Sequence, residues 1–210
     1  MPSGRLLSLG LVTAVLAVVV QTACHLTNGL LLDNSVAQLD ANREQNTFTW
    51  ASSVATFTSA LAAVGLAVVC PAQGRRLGVL AALLVFFSLD DSIELHERLN
   101  GILGQAWPVL ALPLLVLAFA LIWDISRRVS ARQRRFLRAG LILLVVAVLA
   151  EAVQRFWLID RYDPESWPFV LDTGSEEGAE LAGWILVAAA LISAHTRAVT
   201  NRAATRARLS

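Results

Sequence analysis

Lysine is absent: all 17 basic residues are arginine, a usage that reads as codon bias rather than mechanism. Cysteine is scarce, with only Cys24 and Cys70, and there is one methionine and one tyrosine. That excludes a disulfide framework and a Cys-rich metal knot. Charged residues make up 16% of the 210, against roughly 25% in soluble domains. Internal repeats, low-complexity tracts and nucleic-acid motifs are missing, and a net charge of +1 attracts no polyanion. What is present is apolar: 56% of residues are hydrophobic, with mean hydropathy +0.62.

The apolar residues fall into runs near the roughly 20 residues that cross about 30 Å of hydrocarbon as helix. Six segments are expected to span a membrane, at 6–26, 48–70, 77–97, 107–125, 139–159 and 175–195. The fold class is therefore an all-α integral membrane protein, one domain built as a six-helix bundle, followed by a basic cytoplasmic tail at 196–210. Gln21-Thr22-Ala23-Cys24 superficially resembles a lipoprotein cleavage site. Gln21 stands where such a site has Leu, so an uncleaved first helix is expected.

Arginine placement sets the orientation. With the N-terminus inside, the inner segments hold Arg5, Arg75, Arg76, Arg127, Arg128, Arg132, Arg134, Arg135, Arg138, Arg197, Arg202, Arg206 and Arg208. The outer side keeps Arg43, Arg98, Arg155 and Arg161. Such asymmetry in short loops places both termini in the cytoplasm. Trp50, Trp107, Trp157 and Trp167 then fall near the outer interface. Cys24 and Cys70 lie at opposite faces, too far apart to pair. The bilayer is the expected partner, with anionic lipid at the basic inner loop; no nucleic-acid partner is expected.

The third segment is anomalous. Its purely apolar part, 77–89, makes only about 20 Å of helix. To finish crossing it must carry Asp90, Asp91, Glu94, His96 and Glu97 into the outer third. Ionisable groups at such depth cost several kcal/mol unless paired, metal-bound or hydrated. Glu151 of the fifth segment, and Glu177 and Glu180 of the sixth, reach the same level. Carboxylates and an imidazole projecting from facing helices are how bundles hold divalent metals. The site expected is Asp90, Asp91, His96, Glu97, Glu151, Glu177 and Glu180 around Mn, Fe or Zn, which suit oxygen-rich ligation with one imidazole. The di-iron Glu-x-x-His motif is absent, because Ile93 stands three residues before His96.

Plainer readings stand beside this one. Thr173-Gly174-Ser175-Glu176 has the form of a capping box, which would make Glu176 a cap. Glu94 with Arg98 and Glu151 with Arg155 are i, i+4 pairs. Asp124 is expected to pair with Arg127 or Arg128. His25 reads as an interfacial polar residue, and His195 as the complement of a helix end. Asp90-Asp91-Ser92-Ile93-Glu94 echoes the Asp-rich box of prenyl transferases, but a second box is missing and the face is wrong.

Three patches carry a resemblance: Arg43 to Ser53, Ser88-Leu89-Asp90-Asp91 with His96-Glu97-Arg98, and Glu176-Glu177-Gly178-Ala179-Glu180-Leu181-Ala182-Gly183. Together they resemble a group of uncharacterised bacterial multi-pass membrane proteins. Asp91 departs from the group's usual Glu, and Phe48 from its usual Pro. The resemblance implies the bacterial plasma membrane and one recurring constellation of Asp90, Asp91, His96, Glu97, Glu177 and Glu180; it brings no activity. The leading expectation is an outward-facing divalent-metal site, and a metal-dependent enzyme at the outer leaflet if a spare carboxylate acts as base. The alternatives are a proton or cation transporter, and a non-catalytic subunit or scaffold held by a buried acid–Arg network.

Overall fold

A computed structural model describes residues 3–41, 43, 45–93, 95, 98–99, 107–163 and 166–209. The described chain is helical throughout, without a strand. Six long helices follow in order: α1 (Ser3–Leu31), α2 (Thr47–Val69), α3 (Gly74–Ile93), α4 (Trp107–Ser126), α5 (Ala131–Val153) and α6 (Trp167–Leu209). Short 3-10 turns, Ala37–Leu39 and Pro71–Gln73, punctuate two of the loops. A π-helical turn, Gln154–Leu158, ends α5, with Ile159 N–H donating to the Gln154 carbonyl at 3.0 Å.

The helices outrun the expected spans where polar residues turn out to be helical rather than looped. The basic 126–138 stretch is mostly the first two turns of α5; only the turn before Ser130 is irregular. Gln133 Oε1 accepts from both the N–H (3.1 Å) and the hydroxyl (2.8 Å) of Ser130, which starts the helix there. The basic tail at 196–210 continues α6 as helix through Leu209. Segment 160–174 was expected to be loop, yet α6 begins at Trp167 with Pro168 in its first turn, where a missing N–H costs nothing. The capping box expected at Thr173 to Glu176 therefore lies inside a helix, and Ser175 Oγ instead donates to the Leu171 carbonyl at 2.7 Å. His195 likewise is not at a helix end.

Among the described residues, four stretches are long and apolar enough to cross a membrane: Gly4–Leu31, Thr47–Val69, Ala131–Leu158 and Trp167–Arg208. The apolar helix Ala111–Ser126 is shorter, and α3 closes on Asp90 and Asp91. Leu9, Leu16 and Val19 of α1 and Leu61 of α2 are each nearly 60% exposed. Contiguous apolar surface on helices this long belongs against hydrocarbon, not water.

The long α6 is the axis of the bundle and packs on α1, α2 and α5. On its far side α2 carries α3, and α4 bridges α3 to α5. Close approach to α6 depends on missing side chains. A Cβ at Gly140 of α5 would lie 2.7 Å from the Gly183 carbonyl of α6, so only glycine lets those backbones meet. The core fills the arginine-rich half of the bundle with Leu77, Leu80, Leu84, Ile122, Leu137, Leu144, Val187 and Leu191.

At the opposite end α1 presents a polar stripe. Gln21, His25 and Asn28, spaced i, i+4, i+7, fasten the α1–α2 loop. Asn28 exchanges two hydrogen bonds with the Val36 backbone (3.0 and 3.1 Å), and Gln21 Nε2 donates to the Thr47 carbonyl at 2.8 Å. Asn46 then caps α2, its Oδ1 accepting from Thr49 N–H at 2.9 Å.

Candidate functional site

The site is built where three inward-facing stripes change character. On α3 the buried positions Leu77, Leu80, Leu84 and Ser88 keep one face, and the next position on it is Asp91. On α6 the buried Leu191, Val187 and Trp184 lead up to Glu180, with Glu177 a turn above. On α2 the stripe runs from Leu66 and Ala63 into Ser59, Thr56 and Ser52, all buried. Each helix is thus apolar toward the arginine-rich end and oxygen-bearing toward the other.

Hydrogen bonds fix the relative levels. Ser88 Oγ donates to the Ser53 carbonyl at 2.9 Å, tying α3 to α2. Ser59 Oγ lies 3.5 Å from the Trp184 carbonyl, which places these two residues of α2 and α6 at one level. Trp184 Nε1 in turn donates to Glu180 Oε1 at 3.1 Å. Counting along the helices from these ties puts Asp91, Glu177 and Glu180 within about 8 Å of one another along the bundle axis. They are not on facing neighbours, however: α2 stands between α3 and α6.

The α2 hydroxyls are the part that sequence reasoning missed. Thr56 and Ser59 satisfy themselves on the Ser52 and Ala55 carbonyls, at 2.8 and 2.9 Å. Ser52 Oγ and Ser53 Oγ are buried and have no hydrogen-bond partner among the described residues. The i, i+4, i+7 spacing of Ser52, Thr56 and Ser59 inside an apolar helix was the available signal.

Asp90, Asp91, Glu177 and Glu180 are half-buried, as is Glu176. Each takes part in at least one polar or electrostatic interaction. Glu151 behaves differently. It continues the Leu137, Gly140, Leu144 and Ala147 stripe by spacing, yet its side chain is 57% exposed and lies 4.0 Å from Arg155. That geometry is a solvent-screened pair and leaves Glu151 apart from the half-buried acids. The last turn of α5 is joined to α6 by Gln154 Nε2, which donates to Thr173 Oγ1 at 2.6 Å. His96 and Glu97 lie outside the described residues, as does Glu94. Among the described residues no group of three His, Cys, Asp or Glu side chains is close enough to hold a metal ion.

The remaining histidines have structural surroundings. His25 is buried, and its Nδ1 accepts from Ala41 N–H at 3.1 Å. A neutral imidazole accepting at Nδ1 carries its proton on Nε2, which then has no lone pair for a metal. His195 packs against Gly65 of α2. Asp124 is held by Arg128 at 3.1 Å and by Arg76 at 3.5 Å.

A family model described as a domain of unknown function, DUF8692, matches residues 6–194. No curated protein and no solved structure matches the chain.

Proposed function

Because the chain belongs to the DUF8692 family of unknown function, the reading must come from its own residues, and we propose an outward-facing site for a divalent cation in a six-span protein of the bacterial plasma membrane. Both termini are cytoplasmic in this reading, by the arginine asymmetry. Asp90, Asp91, Glu177 and Glu180 supply carboxylates, Ser52 and Ser53 supply hydroxyls, and the sequence adds His96 and Glu97 just beyond α3. Glu151 is not part of the set. Manganese, iron or zinc fits this oxygen-rich donor list with its single imidazole. A carboxylate left off the metal would serve as general base in hydrolysis at the outer leaflet.

One observation carries the reading: the buried stripes of α2, α3 and α6 pass from hydrocarbon to oxygen at a common level. Glu177 and Glu180, and Glu176 and Glu180, are i, i+3 and i, i+4 on one helix; like charges at that spacing repel, and a cation offsets the repulsion. The packed core beneath them argues against the transport alternative, which needs polar groups through the whole thickness.

A second reading is favoured by two bonds: Trp184 Nε1 satisfies Glu180 within α6, and Ser88 Oγ donates to the Ser53 carbonyl between α3 and α2. In it the acids form an internal polar network that fixes helix register without a metal. Elemental analysis of the purified protein, beside Asp91→Ala and Glu180→Ala, separates the two. The expected result is stoichiometric metal in the parent protein and its loss in both variants. A correctly folded, metal-free parent protein, isolated without chelator, would remove the cation site and leave the network.

A further inference from the structure

At the arginine-rich end, α1, α5 and α6 part around a cavity of about 440 Å³. The size lies within the roughly 300–1,000 Å³ of small-ligand pockets. Leu7 lines it, and so does a buried polar pair in which Gln133 Nε2 donates to Ser193 Oγ at 3.2 Å. Two guanidinium-bearing side chains, Arg132 from α5 and Arg197 from α6, line the same space. Arg132 Nη2 donates to Ser8 Oγ at 3.0 Å and meets no carboxylate among the described residues. Arg197 has neither hydrogen bond nor ion pair among the described residues. The first turn of α5 opens here too and adds the positive end of its dipole.

Two cations and a helix N-terminus around one cavity, with no protein anion among them, call for an anion from outside. A second basic cavity, between α3 and α4, shows the contrast. It is lined by Arg75, Arg76, Leu117 and Leu121, and there Asp124 already engages Arg76 at 3.5 Å. Exposed apolar residues of α1, Leu9, Leu11 and Val12, follow directly on the side facing hydrocarbon.

We propose that the α1–α5–α6 cavity binds a phosphate group through Arg132 and Arg197, carried either by an anionic phospholipid headgroup or by a soluble phosphate. The guanidinium forks match phosphate oxygens bidentately, and the Gln133–Ser193 pair supplies the polar floor. The site is separate from the carboxylate end and does not depend on metal there.

Thermal unfolding in nanodiscs tests it. Parent protein, Arg132→Gln/Arg197→Gln and Arg76→Gln are each placed in phosphatidylcholine alone, in phosphatidylcholine with phosphatidylglycerol, and in phosphatidylcholine with inorganic phosphate in the buffer. The expected result is a rise in midpoint for the parent protein and Arg76→Gln with an anionic ligand, and loss of that rise in the double variant. Half-saturation should then need about tenfold or more additional ligand. A rise only with phosphatidylglycerol assigns a headgroup; an equal rise with inorganic phosphate assigns a soluble phosphate. The proposal is overturned if the parent shows no rise with either. It is also overturned if the double variant keeps the full rise, or if Arg76→Gln loses as much, since the effect would then be bulk charge. Both arginines are exposed, so the double variant folds, and its helical circular dichroism provides the check.

Discussion

Trp184 grips Glu180 through its indole N–H at 3.1 Å while its own carbonyl meets Ser59 on the neighbouring helix. One residue therefore holds the carboxylate with its side chain and lies at the α2–α6 contact with its backbone. Trp184→Phe removes the donor together with three heavy atoms of a buried ring. The expected cost is therefore more than the roughly 2 kcal/mol of a hydrogen bond to a charged group alone. Glu180→Gln keeps an acceptor oxygen and should cost less. Chemical denaturation in one detergent measures both, and a Trp184→Phe protein as stable as the parent would show that the indole does not hold Glu180.

The α5–α6 crossing predicts a contrast between two glycines. Gly140→Ala would set a methyl 2.7 Å from the Gly183 carbonyl and 3.0 Å from Val187 Cγ2. The backbone cannot retreat cheaply, so a loss of about 1–3 kcal/mol is expected. Gly78→Ala meets nothing within 4 Å and should stabilise α3 by up to about 1 kcal/mol through reduced chain entropy. Equal behaviour of the two variants in thermal melts would contradict the crossing geometry.

Asn28 is fully buried and closes both of its bonds on Val36. Asn28→Asp removes the donor and sets a carboxylate against a carbonyl. Backbone amides of the α1–α2 loop should then exchange about tenfold faster or more, with amides of α5 unchanged. Hydrogen–deuterium exchange resolved by segment reads this out. Unchanged loop protection would mean that the loop is held by something other than Asn28.

Orientation is tested through the two free cysteines, Cys24 and Cys70, which are both partly exposed. In intact cells an impermeant maleimide should label a Cys70→Ser protein at Cys24 and spare a Cys24→Ser protein. The opposite pattern inverts the topology and places the carboxylate end in the cytoplasm.

The acids themselves were legible early, because a charged residue in an apolar run is conspicuous and its periodicity can be counted. The α2 hydroxyls were not, since Ser and Thr are common in membrane helices and only burial separates Ser52 from Thr58, which is half-buried and bonded to its own helix at 2.8 Å. Glu151 shows a related limit, its side chain being 57% exposed. Its spacing matches the buried stripe of α5, but spacing does not say where the neighbouring helices stop covering a face.

Local sequence determined the helical class, the number of long helices and the gathering of arginine at one end and carboxylate at the other. Those properties follow from residue-by-residue cost against hydrocarbon or water and from 3.6-residue periodicity, both local. Tertiary packing alone decided that α6 is the central helix, that α2 separates Asp91 from Glu180, and that Glu151 is left exposed. It also decided that Arg132 and Arg197 share a cavity. Which helices become neighbours depends on long-range fit, such as glycine against glycine at 140 and 183, and no single segment encodes that fit.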